Sequence, residues 1–165
     1  MQEVKPPHAY TLTHPAIFLA GSIEMGKAIH WQKDVKEALA DLDVLLLNPR
    51  RDKWNAKWVQ RISNREFRKQ VEWELDALEA ADIIFFYFAS NTMSPISLLE
   101  LGLFKEKKVI VYCPDEYWRK GNIEVVCKRY GIPLFADLEK AVRRVRREMK
   151  KSHASRVTGR VAELV

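Results

Sequence analysis

Glu100 stands in the stretch SNTMSPISLLELG (90–102), where small and polar residues lead into a helix-like run with one acid. A carboxylate at such a place has two uses. It can answer the positive end of a helix, which stabilises it by about 0.3–1 kcal/mol. It can also attack an electrophilic carbon and form a covalent ester. The helix opens at Pro95, whose missing N–H does no harm in a first turn. That puts Glu100 near the second turn, where the dipole is expected to keep it ionised. Its neighbours Leu98, Leu99 and Leu101 are apolar, so a half-buried position is expected. On these residues alone both uses stand.

Other residues could share its chemistry. In GSIEMG (21–26), Gly21 ends an apolar run, Ser22 offers a hydroxyl, and Gly26 allows close backbone approach. Such a turn, Ile23 included, can present N–H groups to a phosphate, or be a plain tight turn. It has neither the GxGxxG nor the GK[ST] spacing. Asn91, Ser94 and Ser97 have the side chains that cap helices and close turns. Arg50, Arg51 and Trp54 lie in NPRRDKWN (48–55). Arg can pair with phosphate and Trp can stack on a base; an anchored surface loop is the plainer reading. Asp82 heads a strand, at the end away from any crevice, and reads as structural. Glu74 lies on a helix whose polar positions are expected to face water.

These residues need elements to hold them. AIFLAG (16–21), DVLLLNP (43–49), DIIFFYFA (82–89) and KVIVYC (108–113) are short apolar runs with turn signals, hence buried strands. IPLF (132–135) reads as a short edge strand, where Pro is tolerated. Helices are expected at 27–42, 64–81 with Asn64 as cap, 95–106, 119–131 closed by Gly131, and 137–151. Residues 50–63 read as a long loop. Strands buried on both faces are parallel strands, and alternation with helices gives a doubly wound α/β sheet. Five strands suggest a flavodoxin-like order, 2-1-3-4-5. A ligand crevice then opens at the carboxyl ends of the first and third strands, which brings GSIEMG and SNTMSP together.

The 165-residue chain is long enough for one domain with a real core. Residues 1–14 read as an extension, 15–151 as the domain, and 152–165 as a flexible tail. No apolar run approaches the roughly 20 residues of a membrane span, and the first residues have no apolar leader. Cys113 and Cys127 match no metal or disulfide spacing. A cytoplasmic protein with no metal or other cofactor is expected. The net charge of +6 comes mostly from EKAVRRVRREMKK (139–151). This run is either a solvated face or a surface that attracts phosphate. Binding to nucleic acid through it is not favoured, because no aromatic residue is interleaved to stack on bases.

IFLAGSI (17–23), WELDALEAADIIFF (73–86) and SPISLLELG (94–102) together resemble the nucleoside 2-deoxyribosyltransferase family and its relatives, the deoxynucleoside 5′-monophosphate N-glycosidases. The resemblance covers residues 16–135 and implies a reaction. Glu100 would attack C1′ of the sugar, the base would leave, and a second base or water would release the sugar. Glu74 matches a family Asp near the leaving base. Ser94 matches a serine that binds the 5′-phosphate in the glycosidases, and Ser22 with Gly21 to Gly26 would line the same pocket. Asn122 matches an Asn that reaches a neighbouring subunit, which implies a homo-oligomer. The chain departs from the family at Phe18, where a Tyr is common, and at Glu24, where the glycosidases place Arg. A nucleotide-binding sensor without turnover is the alternative reading.

Overall fold

The computed structural model describes residues 1–23, 28–55 and 57–162, with side chains as far as Lys151. Eleven elements follow in chain order: β1 (Gln2–Val4), β2 (Ala16–Gly21), α1 (Trp31–Ala38), β3 (Leu45–Leu47), α2 (Arg65–Ala80), β4 (Ile83–Tyr87), α3 (Pro95–Leu103), β5 (Val109–Tyr112), α4 (Lys120–Tyr130), β6 (Leu134–Phe135) and α5 (Leu138–Ala162). The strands form one sheet, ordered β1-β3-β2-β4-β5-β6, and every pairing is parallel.

The expected five strands keep their relative order, but the sheet has six. Gln2, Glu3 and Val4 pair with Leu45, Leu46 and Leu47, so a segment read as an extension supplies an edge strand. QEV is too short and polar to announce a strand by periodicity. Three helices differ as well, α3 by ending at Leu103 rather than residue 106. The first begins at Trp31 rather than residue 27 and ends at Ala38. The last runs on to Ala162 rather than ending at residue 151.

The side chains of β2 and β4 alternate between two cores, as the period of a strand requires. Phe18, Ala20, Ile84 and Phe86 pack with Ala77 and Leu78 of α2, Leu101 of α3, and Ile123 and Cys127 of α4. Ile17, Leu19, Ile83 and Phe85 pack with Trp31 and Val35 of α1 and with Ala141, Val142 and Val145 of α5. Burying one large aliphatic or aromatic side chain contributes about 1.5–3 kcal/mol, so these two layers hold the sheet between them. Asp82 ties the amino ends of β2 and β4 by accepting from the Ala16 amide at 2.8 Å. It sits at the edge opposite the crevice and is structural. Among the described residues no helix is long and apolar enough to cross a membrane.

Candidate active site

Between β2 and β4 the strand order reverses, and their carboxyl ends open the crevice. Gly21 ends β2 with φ 141°, a conformation that L side chains avoid. A Cβ there would meet the Tyr87 carbonyl oxygen at 2.1 Å. Glycine therefore lets the chain pass against β4, and the Ser22 amide donates to that carbonyl at 2.9 Å.

Ser22 is thereby aimed at the loop after β4. Its Oγ lies 2.7 Å from Thr92 Oγ1 and 2.6 Å from Ser94 Oγ, and those two are 2.9 Å apart. The Ala89 amide donates to Ser22 Oγ, and Thr92 Oγ1 donates to the Ala89 carbonyl. All three hydroxyls are buried. Ser94 adopts φ 47°, a left-handed backbone rare for a residue other than glycine. Such strain costs about 1–3 kcal/mol and gathers at functional sites. Ser94 does not cap α3 with its side chain; its hydroxyl belongs to this cluster instead.

Glu100 and Ser97 are both buried on α3, at 8% and 5% exposure. Their spacing of three residues puts them on one face. Burial, and then the charge of Glu74, push the Glu100 carboxyl up to about 8. The expectation that the helix dipole keeps it ionised is corrected here. Glu100 lies past the first turn of α3, where the dipole has faded, and the desolvation cost outweighs it.

Glu74 does not face water as its helix pattern suggested. Gln70, Ala77 and Leu78 are the buried residues of α2, and Glu74 falls on that same stripe. Its carboxyl is pushed up to about 7 by burial, offset in part by the Gln70 hydrogen bond and the charge of Arg51. Gln70 Nε2 donates to Glu74 Oε1 at 2.7 Å. The site thus pairs the buried Glu100 with the half-buried Glu74 of another helix, and desolvation holds each carboxyl well above the usual range. A pair whose ionisations oppose each other holds one proton across a span of pH.

The remaining residues take different places. Arg50 is buried and donates to the Ala28 and Ile29 carbonyls, both at 2.9 Å, which stitches the loop after β3 to the one after β2. Trp54 is half-buried and meets Trp58 edge-on, with centroids 5.2 Å apart. Asn91 is exposed. Asn122 is exposed at the start of α4. Ile23 follows Ser22 in the crevice loop, half-buried. Gly26 and Glu24 lie outside the described residues. Sequence reasoning missed Thr92 and Gln70. Gln70 had a signal, since it precedes Glu74 by four residues and shares its face; Thr92 had only its place two residues before Ser94. No group of three or more His, Cys, Asp or Glu side chains able to hold a metal occurs among the described residues.

Residues 14–117 match the family model described as nucleoside 2-deoxyribosyltransferase like, and the chain belongs to that family. The matched stretch contains both carboxyls, all three hydroxyls and Gln70. Among solved structures the chain is similar to a conserved protein from Enterococcus faecalis V583, with a TM-score of 0.62 and 11% sequence identity, over 82% of this chain and 99% of that one. At that identity the likeness speaks for the fold alone. No curated protein matches the chain.

Proposed function

We propose that the chain breaks the N-glycosidic bond of a (deoxy)nucleoside or its 5′-monophosphate through a covalent intermediate on Glu100. The observation that carries this reading is the coupled carboxyl pair, buried Glu100 with half-buried Glu74, with Glu100 on a helix that starts at the buried hydroxyl cluster of Ser22, Thr92 and Ser94. The reaction needs one carboxylate and one proton. Near neutral pH the pair shares a single proton that rests mainly on Glu100, the higher of the two, so the reaction runs through the form in which that proton has passed to Glu74 and Glu100 is the carboxylate. A Glu100 oxygen bonds to C1′ while the C1′–N bond breaks. The electron pair of that bond stays on the base nitrogen, which takes the proton from Glu74. A second base, or water, then displaces Glu100 from C1′ and returns a proton to Glu74. This is the covalent course of a retaining glycosidase.

Ser22, Thr92 and Ser94 would receive the 5′ end of the sugar, and the match of Ser94 to the glycosidase serine favours a 5′-phosphate there. Gly21, Ile23 and Gly26 would shape that pocket, with Asn91 and Ser97 at its rim. Arg50 would hold the loop that closes it, and Trp54 would stack on the base. Asn122 would complete the site of a second copy, which makes the active form a homo-oligomer. Ile96, Leu99 and Leu103 support this, because they are 60%, 58% and 60% exposed along one side of α3, a stripe that suits another protein surface.

The test is incubation with deoxy- and ribonucleosides and their 5′-monophosphates, with and without a second free base, and with Glu100→Ala as the control. Chromatography separates the outcomes. A new nucleoside means transfer, free base alone means hydrolysis, and both must vanish in Glu100→Ala. Binding that raises the melting temperature with no product in any mixture would instead make the protein a nucleotide sensor.

A further inference from the structure

Gln70 is 3% exposed, and a buried amide must spend its hydrogen bonds. Nε2 donates to Glu74 Oε1 at 2.7 Å and to the Pro49 carbonyl at 3.0 Å. Oε1 accepts from Arg51 Nε. The Pro49 carbonyl can only accept and Arg51 Nε can only donate. These two partners fix which way the amide faces, without reference to Glu74. Turned over, the amide would set its oxygen against the Pro49 oxygen and its NH₂ against the guanidinium. Glu74 therefore always meets an N–H. Arg51 is itself held, with its guanidinium 5.0 Å from the centre of the Trp58 ring, a cation–π distance.

This has a consequence for the proton on Glu74. The carbonyl oxygen of a carboxylic acid accepts hydrogen bonds better than its hydroxyl oxygen does. An N–H fixed on Oε1 therefore makes Oε1 the carbonyl and sends the proton to Oε2. We infer that Gln70, locked by Arg51 and the Pro49 carbonyl, is a positioning residue that engages Glu74 Oε1 and leaves Oε2 to carry the proton given to the departing base. The inference rests on the proposed glycosidic reaction. In that step the Oε2–H bond breaks, an N–H bond forms on the base, and Glu74 is left as a carboxylate. The Gln70 N–H then also stabilises that carboxylate. The charged groups that face Glu74 are Arg51 from the loop after β3 and Glu100 from α3.

The experiment compares two leaving groups. An ordinary purine deoxynucleoside needs a proton to release its base. A 7-methylpurine deoxynucleoside carries a positive charge on the base and leaves without one. Gln70→Leu should lower turnover of the ordinary substrate about 10-fold or more, a fraction of what a general acid supplies. Turnover of the methylated one should stay within about threefold, since a positioning role in proton delivery does not bear on it. Arg51→Met, at a half-exposed residue that the core does not need, should lower the same ratio by less. In the Gln70→Leu background it should change the ratio no further. Equal losses on both substrates would mean a merely structural Gln70 and overturn the inference. So would a further fall in the double variant, because Arg51 would then act by another route. Carbon-13 NMR of the Glu74 carboxyl gives a readout independent of turnover: its titration should move upward in Gln70→Leu. A titration that does not move overturns the hydrogen-bond role even in an active protein. A wild type that releases base from neither substrate removes the proposed function, and the proton-delivery role with it, whatever the titration does.

Discussion

At the scale of single residues, Glu100 and Glu74 show how an acid can be recognised while its state is misread. Glu100 was legible from ELG and the small polar run before it. Its protonation was not, because the apolar neighbours suggested half-burial and the sequence shows neither how fully the carboxyl is desolvated nor that Glu74 faces it. Glu74 was masked by the usual binary pattern, in which polar positions on a helix face water; here two polar residues occupy the stripe that meets the core. Their burial has a measurable cost. Both carboxyls titrate at 4.5 when unperturbed and at about 7 and about 8 when folded. Between pH 4.5 and 8 the folded chain therefore binds more protons at these residues than the unfolded one, and stability falls as pH rises through that window. Glu100→Gln removes one ionisation and the like charge beside Glu74. Its melting temperature should match the wild type near pH 5 and exceed it near pH 8. A gain of about 1–2 kcal/mol, common when a functional site is relieved, corresponds to roughly 2–8 °C in a chain of this size. Melting curves of the two proteins that stay parallel from pH 5 to 8 would contradict the buried pair.

At the scale of elements, the strands with continuous apolar runs were readable because a sheet covered on both faces leaves no polar side. β4, with five buried residues in IIFFY, is the clearest case. β1 was not readable, since its place at the edge comes from pairing with Leu45 to Leu47 rather than from its own pattern. α2 was readable down to its cap, where Asn64 Oδ1 accepts from the Phe67 amide at 3.1 Å. α3 carries more than Glu100. Its outward residues Ile96, Leu99 and Leu103 are exposed, whereas Ser97, Glu100 and Leu101 are buried. If this face joins two copies, Leu99→Lys with Leu103→Glu should shift the protein to a monomer in sedimentation experiments, with the circular dichroism of the fold retained. An unchanged sedimentation coefficient, with the wild type a monomer or the double variant still assembled, would rule this face out.

At the scale of the whole molecule, the order of strands brings together residues that are far apart in sequence. Ser22 meets Thr92 and Ser94 because β2 and β4 are neighbours with their carboxyl ends level, Gly21 opposite Tyr87. The alternation of strands and helices implies that meeting without any motif. The left-handed turn at Ser94 and the Arg50 bonds across two loops were beyond it, because both depend on loop geometry that no periodicity encodes. The basic run on α5 is largely answered within the chain. Arg146 makes a two-pronged bond to Asp41, at 2.6 Å on each side, and Arg144 pairs with Glu148 at 3.1 Å. The whole arrangement converges on one claim, that Glu100 forms a bond to the sugar. The most direct measurement is the intact mass of the protein after reaction with a 2′-fluoro-2′-deoxynucleoside or its monophosphate. Fluorine at C2′ slows the release of a glycosyl ester, so the intermediate should persist. The account predicts a mass increase equal to the fluorinated sugar, located on Glu100 by peptide fragmentation and absent in Glu100→Gln. Release of base from that substrate with no adduct, or an adduct on another residue, would contradict it.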